Sequence, residues 1–125
     1  MPAPKAARPV ILIVEDDALV LLDAADMIQS AGYDVLEASN ADEAIKILES
    51  RSDIEVIFTD IEMPGSMNGL RLAEAVRGRW PPIKIIATSG HFQKGNVTLP
   101  SGGWFLPKPY TSEQVTTALR EVRAG

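Results

Sequence analysis

Residues Val10–Asp17 read VILIVEDD, so that five consecutive apolar residues run directly into three acidic ones. A strand that is apolar on every side is typical of the centre of a parallel sheet, because helices cover both of its faces. A second apolar run, Val56–Thr59, leads in the same way into Asp60, and a third, Trp104–Pro107, precedes Lys108. Since the carboxyl ends of parallel strands lie at one edge of the sheet, we expect these charged side chains to meet there.

Hydrophobic periodicity predicts strands and helices that alternate along the chain. One segment breaks the alternation: Gly90–Gly103 contains four glycines and one proline, and we expect at most a short or irregular fourth helix there. The predicted strands are Val10–Val14, Tyr33–Ala38, Val56–Thr59, Ile83–Thr88 and one at Trp104–Pro107, and the predicted helices are Asp17–Ala31, Asn40–Arg51, Leu70–Arg79 and Ser112–Val122.

Size and composition narrow the class of protein. A chain of 125 residues fits one domain, which we place at residues 10–125 after a flexible leader at residues 1–9. The net charge of −5 and the lack of a Lys/Arg cluster argue against direct binding of nucleic acid. The absence of cysteine fits a reducing compartment, so we expect a cytoplasmic protein. The apolar runs are too short for membrane insertion.

The acidic residues predict a cation site. Carboxylates without cysteine or paired histidine form an oxygen-only site that suits Mg²⁺ or Mn²⁺. Asp16 and Asp60 are candidates for direct ligands, and Glu15 for a ligand through water. The alternative for Glu15–Asp17 is that they only cap the first helix, where negative charge interacts favourably with the helix dipole.

Asp60 is also a candidate nucleophile. A carboxylate can attack phosphorus to give an aspartyl phosphate when the charge of the phosphoryl group is neutralised. A divalent cation and Lys108 would supply that neutralisation. The alternative for Lys108, which stands between Pro107 and Pro109, is an exposed lysine in a turn; the Lys108–Pro109 bond is one that can be cis.

Four motifs in this order, ILIVEDD, VIFTDIEMPGSMNGL, IIATSG and FLPKPY, resemble those of the receiver domain of bacterial two-component response regulators. The resemblance covers Val10 to Val122 and implies an α/β, flavodoxin-like three-layer sandwich. Its five parallel strands would follow the order 2-1-3-4-5. A single-domain receiver fits the length, and a receiver excised from a longer regulator fits it equally well.

The resemblance also implies roles for site residues. Asp60 would accept the phosphoryl group, and Lys108 would pair with it. Glu15 and Asp16 would be the acidic pair at the metal, and the backbone carbonyl of Glu62 would be a further Mg²⁺ ligand.

The family also uses a switch pair, a hydroxyl residue and an aromatic one. Thr88 and Ser89 compete for the hydroxyl position, and we favour Ser89 because the next position in the family is small. Phe105 is the candidate aromatic, with a plain core or surface residue as the alternative. Glu62 and His91 stand at positions that tune the lifetime of the phosphate in the family, although His91 also fits an exposed loop residue.

The resemblance implies phosphorelay signalling. A sensor histidine kinase or histidine phosphotransfer protein would donate the phosphoryl group, and the altered conformation would regulate a protein partner. Two rivals stay open. A small phosphohydrolase normally carries a second aspartate where Glu62 stands, and a binding module that is not phosphorylated would normally have lost the acidic pair, the acceptor or the lysine. A flavin site is poorly supported, because no phosphate-binding loop follows the first strand.

Overall fold

The computed structural model describes residues 8–65, 67–90, 98–100 and 102–124 of the chain. Strands and helices alternate in this part of the chain as the periodicity predicts. The elements are β1 (Val10–Val14), α1 (Ala18–Ser30), β2 (Asp34–Ala38), α2 (Ala41–Ser50), β3 (Ile54–Asp60), α3 (Gly69–Arg79), β4 (Lys84–Ser89), β5 (Trp104–Pro107) and α4 (Ser112–Ala124).

All five strands pair in parallel in one sheet, and their order is β2-β1-β3-β4-β5. The predicted flavodoxin-like order is therefore confirmed. From β1 the chain runs outward to β2 and then returns to β3 on the other side of β1. Ligands of such sheets bind beyond the carboxyl ends of the strands at this reversal, and Asp60 stands at the end of β3.

Two hydrophobic layers cover the sheet. On one face, Leu12, Ile57 and Ile85 pack with α2 and α3. On the other face, Ile13 and Phe58 pack with α1 and α4. Because β1 is buried along its whole length, its sequence is apolar without alternation. Burial of a side chain such as Ile57 stabilises the fold by about 1.5–3 kcal/mol.

Polar side chains begin each of the four helices described. Asp17, Asn40 and Asn68 each accept backbone N–H hydrogen bonds from the first turn that follows. Thr111 and Gln114 form a capping box: Oγ1 of Thr111 accepts from the Gln114 N–H at 3.1 Å, and Oε1 of Gln114 accepts from the Thr111 N–H at 2.8 Å. Each cap satisfies donors that the helix itself leaves unpaired.

Some predicted boundaries differ from those observed. β3 begins at Ile54 and includes Asp60, whereas the prediction ran from Val56 to Thr59. Strand pairing explains the extension, because Ile54 pairs with β1 and Asp60 pairs with Thr88 of β4. The apolar run therefore marks only the middle of the hydrogen-bonded strand.

Most of the predicted leader, residues 1–7, lies outside the described residues. Arg8 donates hydrogen bonds to the carbonyl oxygens of Gln29 (2.8 Å) and Gly32 (3.0 Å), and the N–H of Asp34 donates to the Pro9 carbonyl at 2.9 Å. The last two residues of that segment therefore lie against the end of α1. The division at residue 9 stays a prediction.

The segment predicted to hold a poor fourth helix is described only in part. Residues 98–100 and 102–103 form no helix, and Gly102 has a φ of +84°. Residues 91–97 and 101 lie outside the described residues. Within the described ranges, no helix combines the length and the apolar character needed to cross a membrane.

Candidate functional site

Backbone hydrogen bonds fix the ends of the strands that carry the predicted site. The N–H of Glu15 donates to the carbonyl of Ala38 at 3.0 Å, one residue beyond β1. The N–H of Lys108 donates to the carbonyl of Ser89 at 2.9 Å, one residue beyond β5. The site residues therefore project from backbone that is still part of the sheet.

The predicted meeting of charges is confirmed. Nζ of Lys108 lies 2.9 Å from Oε1 of Glu15 and 3.2 Å from Oδ1 of Asp60. The Glu15 and Asp60 side chains are buried, whereas Lys108 is partly exposed. Burial lowers the pKa of Lys108, but the hydrogen bond to Glu15 and the charges of Asp60 and Glu15 outweigh it and raise that pKa above its ordinary value. Lys108 is thus not the exposed turn lysine of the alternative interpretation, and its bond to Pro109 is cis.

Asp60 stands in an environment that opposes its negative charge. The pKa of Asp60 is raised to about 6, because burial and then the charge of Glu15 raise it more than Lys108 lowers it. Among the described residues, Oδ1 of Asp60 accepts no hydrogen bond, so its contact with Lys108 is an ion pair. A bound cation would give this oxygen a further partner beside Lys108.

Three carboxylates meet at this point. Oxygen atoms of Glu15, Asp16 and Asp60 lie within 4.8 Å of one another. Oδ1 of Asp17 accepts from the N–H groups of Leu19 and Val20 instead, so the capping interpretation is right for Asp17. The carboxylates of Glu15, Asp16 and Asp60, together with Lys108, are called the carboxylate half of the site. Its oxygen-only donors and the unsatisfied oxygen of Asp60 fit a hard divalent ion.

A second group, Thr88, Ser89 and Phe105, is called the hydroxyl half. Oγ of Ser89 donates to the carboxylate of Glu62, at 2.8 Å from Oε1 and 2.6 Å from Oε2. Ser89 is buried, whereas Glu62 is half-buried. The sequence interpretation gave Glu62 a backbone role at the metal and a position that tunes the lifetime of the phosphate. It missed this side-chain contact with Ser89, because nothing in the spacing of the two residues marks it.

Alternation along β4 separates the two candidate hydroxyl residues. Ala87 packs with Phe105 in a small cluster that also contains Ile61. Because side chains alternate between the two faces of a strand, Ser89 lies on the face of Ala87, and Thr88 lies on the opposite one. Ser89 therefore shares a face with Phe105. Phe105 is buried in this cluster, so it is not a surface aromatic.

Gly69 is a site-supporting residue that the sequence interpretation missed. A Cβ atom at Gly69 would lie 2.0 Å from the carbonyl oxygen of Asp60 and 2.9 Å from Cα of Ile61. The N–H of Gly69 donates to the carbonyl of Ile61 at 2.9 Å. α3 thus begins in direct contact with the backbone that follows β3. The sequence did contain a signal for this contact, because a glycine directly follows Asn68, a residue well suited to cap a helix.

The chemical roles assigned to the site residues stay predictions. His91 lies outside the described residues. The metal-binding role of the Glu62 carbonyl rests on the resemblance alone.

Comparison with known proteins agrees with this geometry. The family model of the response regulator receiver domain matches residues 11–120. The chain is 36% identical over 117 residues to the chemotaxis protein CheY of Thermotoga maritima. The aligned region covers 90% of this chain and 95% of that protein. The chain is 33% identical over 116 residues to the sensor kinase CckA of Brucella abortus, which covers 90% of this chain but only 12% of the kinase.

A solved structure shows the same fold. The response regulator receiver protein from Sinorhizobium medicae WSM419 matches with a TM-score of 0.82 and 31% sequence identity. The match covers 94% of this chain and 96% of the other. The chain belongs to the response regulator receiver domain family and is a phosphorelay signalling domain.

Proposed function

We propose that Asp60 accepts a phosphoryl group from a phosphohistidine of a sensor histidine kinase or a histidine phosphotransfer protein. A carboxylate oxygen of Asp60 attacks phosphorus, the P–N bond of the phosphohistidine breaks, and the imidazole leaves with the bonding electron pair. The product is an aspartyl phosphate. The observation that carries this proposal is the buried Asp60 carboxylate beside both Lys108 and two further carboxylates.

Lys108 prepares the site for the incoming charge. Its ammonium group lies 3.2 Å from Asp60 and keeps the carboxylate ionised against the effect of burial. Because phosphoryl transfer depends on positioning and electrostatic stabilisation, an ammonium group held by Glu15 is suited to pair with a phosphoryl oxygen. Glu15 keeps Lys108 in place through the contact at 2.9 Å.

Mg²⁺, or Mn²⁺ in its place, is the proposed cofactor. Glu15, Asp16, Asp60 and the backbone carbonyl of Glu62 would hold it. When bound, the ion neutralises negative charge on the carboxylates and the phosphoryl group. Two observations support this proposal: oxygen atoms of three carboxylate groups lie within 4.8 Å of one another, and among the described residues two of these groups share one lysine.

Phosphorylation would favour a second conformation in which Ser89 binds a phosphoryl oxygen and Phe105 changes its packing. The altered surface would regulate a protein partner, with no direct contact to nucleic acid. We further propose that this exchange takes place in the cytoplasm. The domain catalyses its own phosphorylation and slow dephosphorylation, and is not a multiple-turnover enzyme.

Intact-mass spectrometry tests the proposal directly. The protein is incubated with Mg²⁺ and acetyl phosphate, and a gain of one phosphate that is lost in alkali is expected. Asp60→Asn should abolish the gain, whereas Asp53→Asn, at an exposed position paired with Arg51, should leave it unchanged. Full labelling of Asp60→Asn would contradict the assignment.

A second incubation, with a stable phosphate ester in place of acetyl phosphate, distinguishes a phosphohydrolase. Such an enzyme would release phosphate from a small ester in large molar excess over protein. We expect no sustained release from the ester above the rate that Asp60→Asn shows. Sustained turnover of a stable ester would overturn the signalling proposal in favour of the enzyme.

A further inference from the structure

The hydroxyl of Ser89 has one proton, and Glu62 already accepts it. Oγ of Ser89 lies 2.8 Å and 2.6 Å from the two carboxylate oxygens of Glu62. A hydrogen bond to an ionised acceptor is stronger than one between neutral groups. Because Ser89 is buried, water does not readily replace the carboxylate as the acceptor.

A phosphoryl oxygen on Asp60 would need the same proton. The two acceptors are therefore in competition: Ser89 can hold Glu62 or the phosphoryl group, but its single O–H cannot donate fully to both. Ser89 must lose its hydrogen bond to Glu62 before it can donate to the phosphoryl group, and this loss makes the switch less favourable. Glu62 also adds negative charge near Asp60. It raises the pKa of the Asp60 carboxyl by less than burial and the charge of Glu15 do.

We propose that Glu62 is a positioning residue that holds Ser89 in the unphosphorylated arrangement through this hydrogen bond. The proposal rests on the proposed function of Asp60 and adds a device that opposes activation. It differs from a simple charge effect, because it acts through the hydroxyl of Ser89. Without Glu62, a phosphoryl oxygen would not have to displace this carboxylate from Ser89.

Binding of beryllium trifluoride, an analogue of the phosphoryl group, measures the effect without a phosphotransfer reaction. Its dissociation constant is determined by ¹⁹F NMR at saturating Mg²⁺ for the wild-type protein, Glu62→Ala, Ser89→Ala and the double variant. This cycle isolates the coupling between the two residues from the charge of Glu62 alone. Glu62→Gln is added because its amide oxygen can still accept from Ser89 without carrying charge.

Glu62→Ala should tighten binding about tenfold when Ser89 is present, as expected for the loss of one charge-assisted hydrogen bond. In the Ser89→Ala background the gain should fall to about twofold, because only charge repulsion is removed. Glu62→Gln should lie between wild type and Glu62→Ala. The ordering wild type, Gln, Ala together with the reduced gain in the Ser89→Ala background supports the proposal.

An equal gain in both Ser89 backgrounds would mean that Glu62 acts by charge alone, and would overturn the proposal. No gain in either background would overturn it as well. These outcomes differ from failure of the proposed function, in which the wild-type protein shows no binding that depends on Asp60. In that case Asp60→Asn and wild type behave alike, and both proposals fall together.

Discussion

The two halves of the site hold their polar groups in different ways. In the carboxylate half, buried charge is balanced only in part: Lys108 pairs with Glu15 and Asp60, yet Oδ1 of Asp60 accepts no hydrogen bond among the described residues. In the hydroxyl half, the buried hydroxyl of Ser89 already has a carboxylate partner. The first half leaves a buried carboxylate oxygen without a hydrogen bond among the described residues, whereas the hydroxyl of the second half already has an acceptor.

This difference teaches how one sheet edge can combine reactivity with a switch. An unsatisfied carboxylate in a buried site costs stability, and the proposed binding of a cation would offset that cost. A satisfied hydroxyl costs nothing until the ligand competes for it. Substitutions in each half separate the two arrangements.

The largest effect is expected where the carboxylate half meets α3. Gly69→Ala should lower the free energy of unfolding by at least about 3 kcal/mol, because the new Cβ would lie 2.0 Å from the Asp60 carbonyl oxygen and backbone cannot move aside cheaply. Urea denaturation measures the change. The matched control is Gly78→Ala in the same helix, where a Cβ meets nothing within 4 Å.

Gly78→Ala should raise the free energy of unfolding by about 0.5–1 kcal/mol, because alanine is the better helix former. Similar stabilities for the two variants would show that α3 does not press on the end of β3. The geometry of Asp60 would then depend on the sheet alone.

Asp60→Asn should stabilise the metal-free protein at pH 8 by up to about 3 kcal/mol. Burial first, and then Glu15, raise the pKa of Asp60 to about 6 from an ordinary value of 3.8. A raised carboxyl pKa stabilises the fold below the ordinary value, and that contribution is lost as the pH rises through about 6. The gain from asparagine should therefore be complete above pH 6 and vanish near pH 4, as measured by thermal or urea unfolding.

The exposed Asp53 is the control of opposite sign. Its hydrogen bond with Arg51 lowers the pKa of Asp53, so Asp53→Asn should lose a little stability at neutral pH and none at low pH. If Asp60→Asn behaves like Asp53→Asn, the carboxylate half is not under electrostatic strain. Its role as a cation site would then lose its physical basis.

Lys108→Ala should raise the pKa of Asp60 further above about 6, by on the order of one pH unit. The reason is that the ammonium group, 3.2 Å from Asp60, favours the ionised carboxyl. NMR titration of the Asp60 carboxyl carbon in metal-free buffer measures the change. Lys46→Ala removes the same charge from α2 and should leave the pKa of Asp60 unchanged. Equal shifts of that pKa in both variants would point to net charge rather than to the contact between Lys108 and Asp60.

Much of the fold and of the carboxylate half is predictable from sequence, because both follow from position along strands. An apolar run without alternation, as in Val10–Val14, identifies a strand covered on both faces, and parallel pairing then brings Glu15, Asp60 and Lys108 to one edge. The charges are far apart in the chain, but the topology leaves them little freedom.

The hydroxyl half is less predictable, because it depends on side-chain direction. The sequence places Thr88 and Ser89 side by side and cannot say which one faces Phe105; the pleat of β4 decides it. The Glu62 side chain could point to solvent, to a metal or to Ser89, and only the folded loop selects Ser89. Gly69 was missed for the same reason, since a close approach of backbones is a property of packing rather than of pattern.

The smallest effect separates the two hydroxyl residues. Ser89→Ala should reduce the phosphorylation-induced change in NMR signals around Phe105 by about half or more, whereas Thr88→Ala should leave most of it. Ser89 lies on the face of Ala87 and Phe105, and Thr88 lies on the other face. Both residues are buried, so thermal unfolding of each variant controls for a general loss of stability. The opposite ranking would move the switch to Thr88, and the hydroxyl half would then reach Phe105 across the sheet rather than along one of its faces.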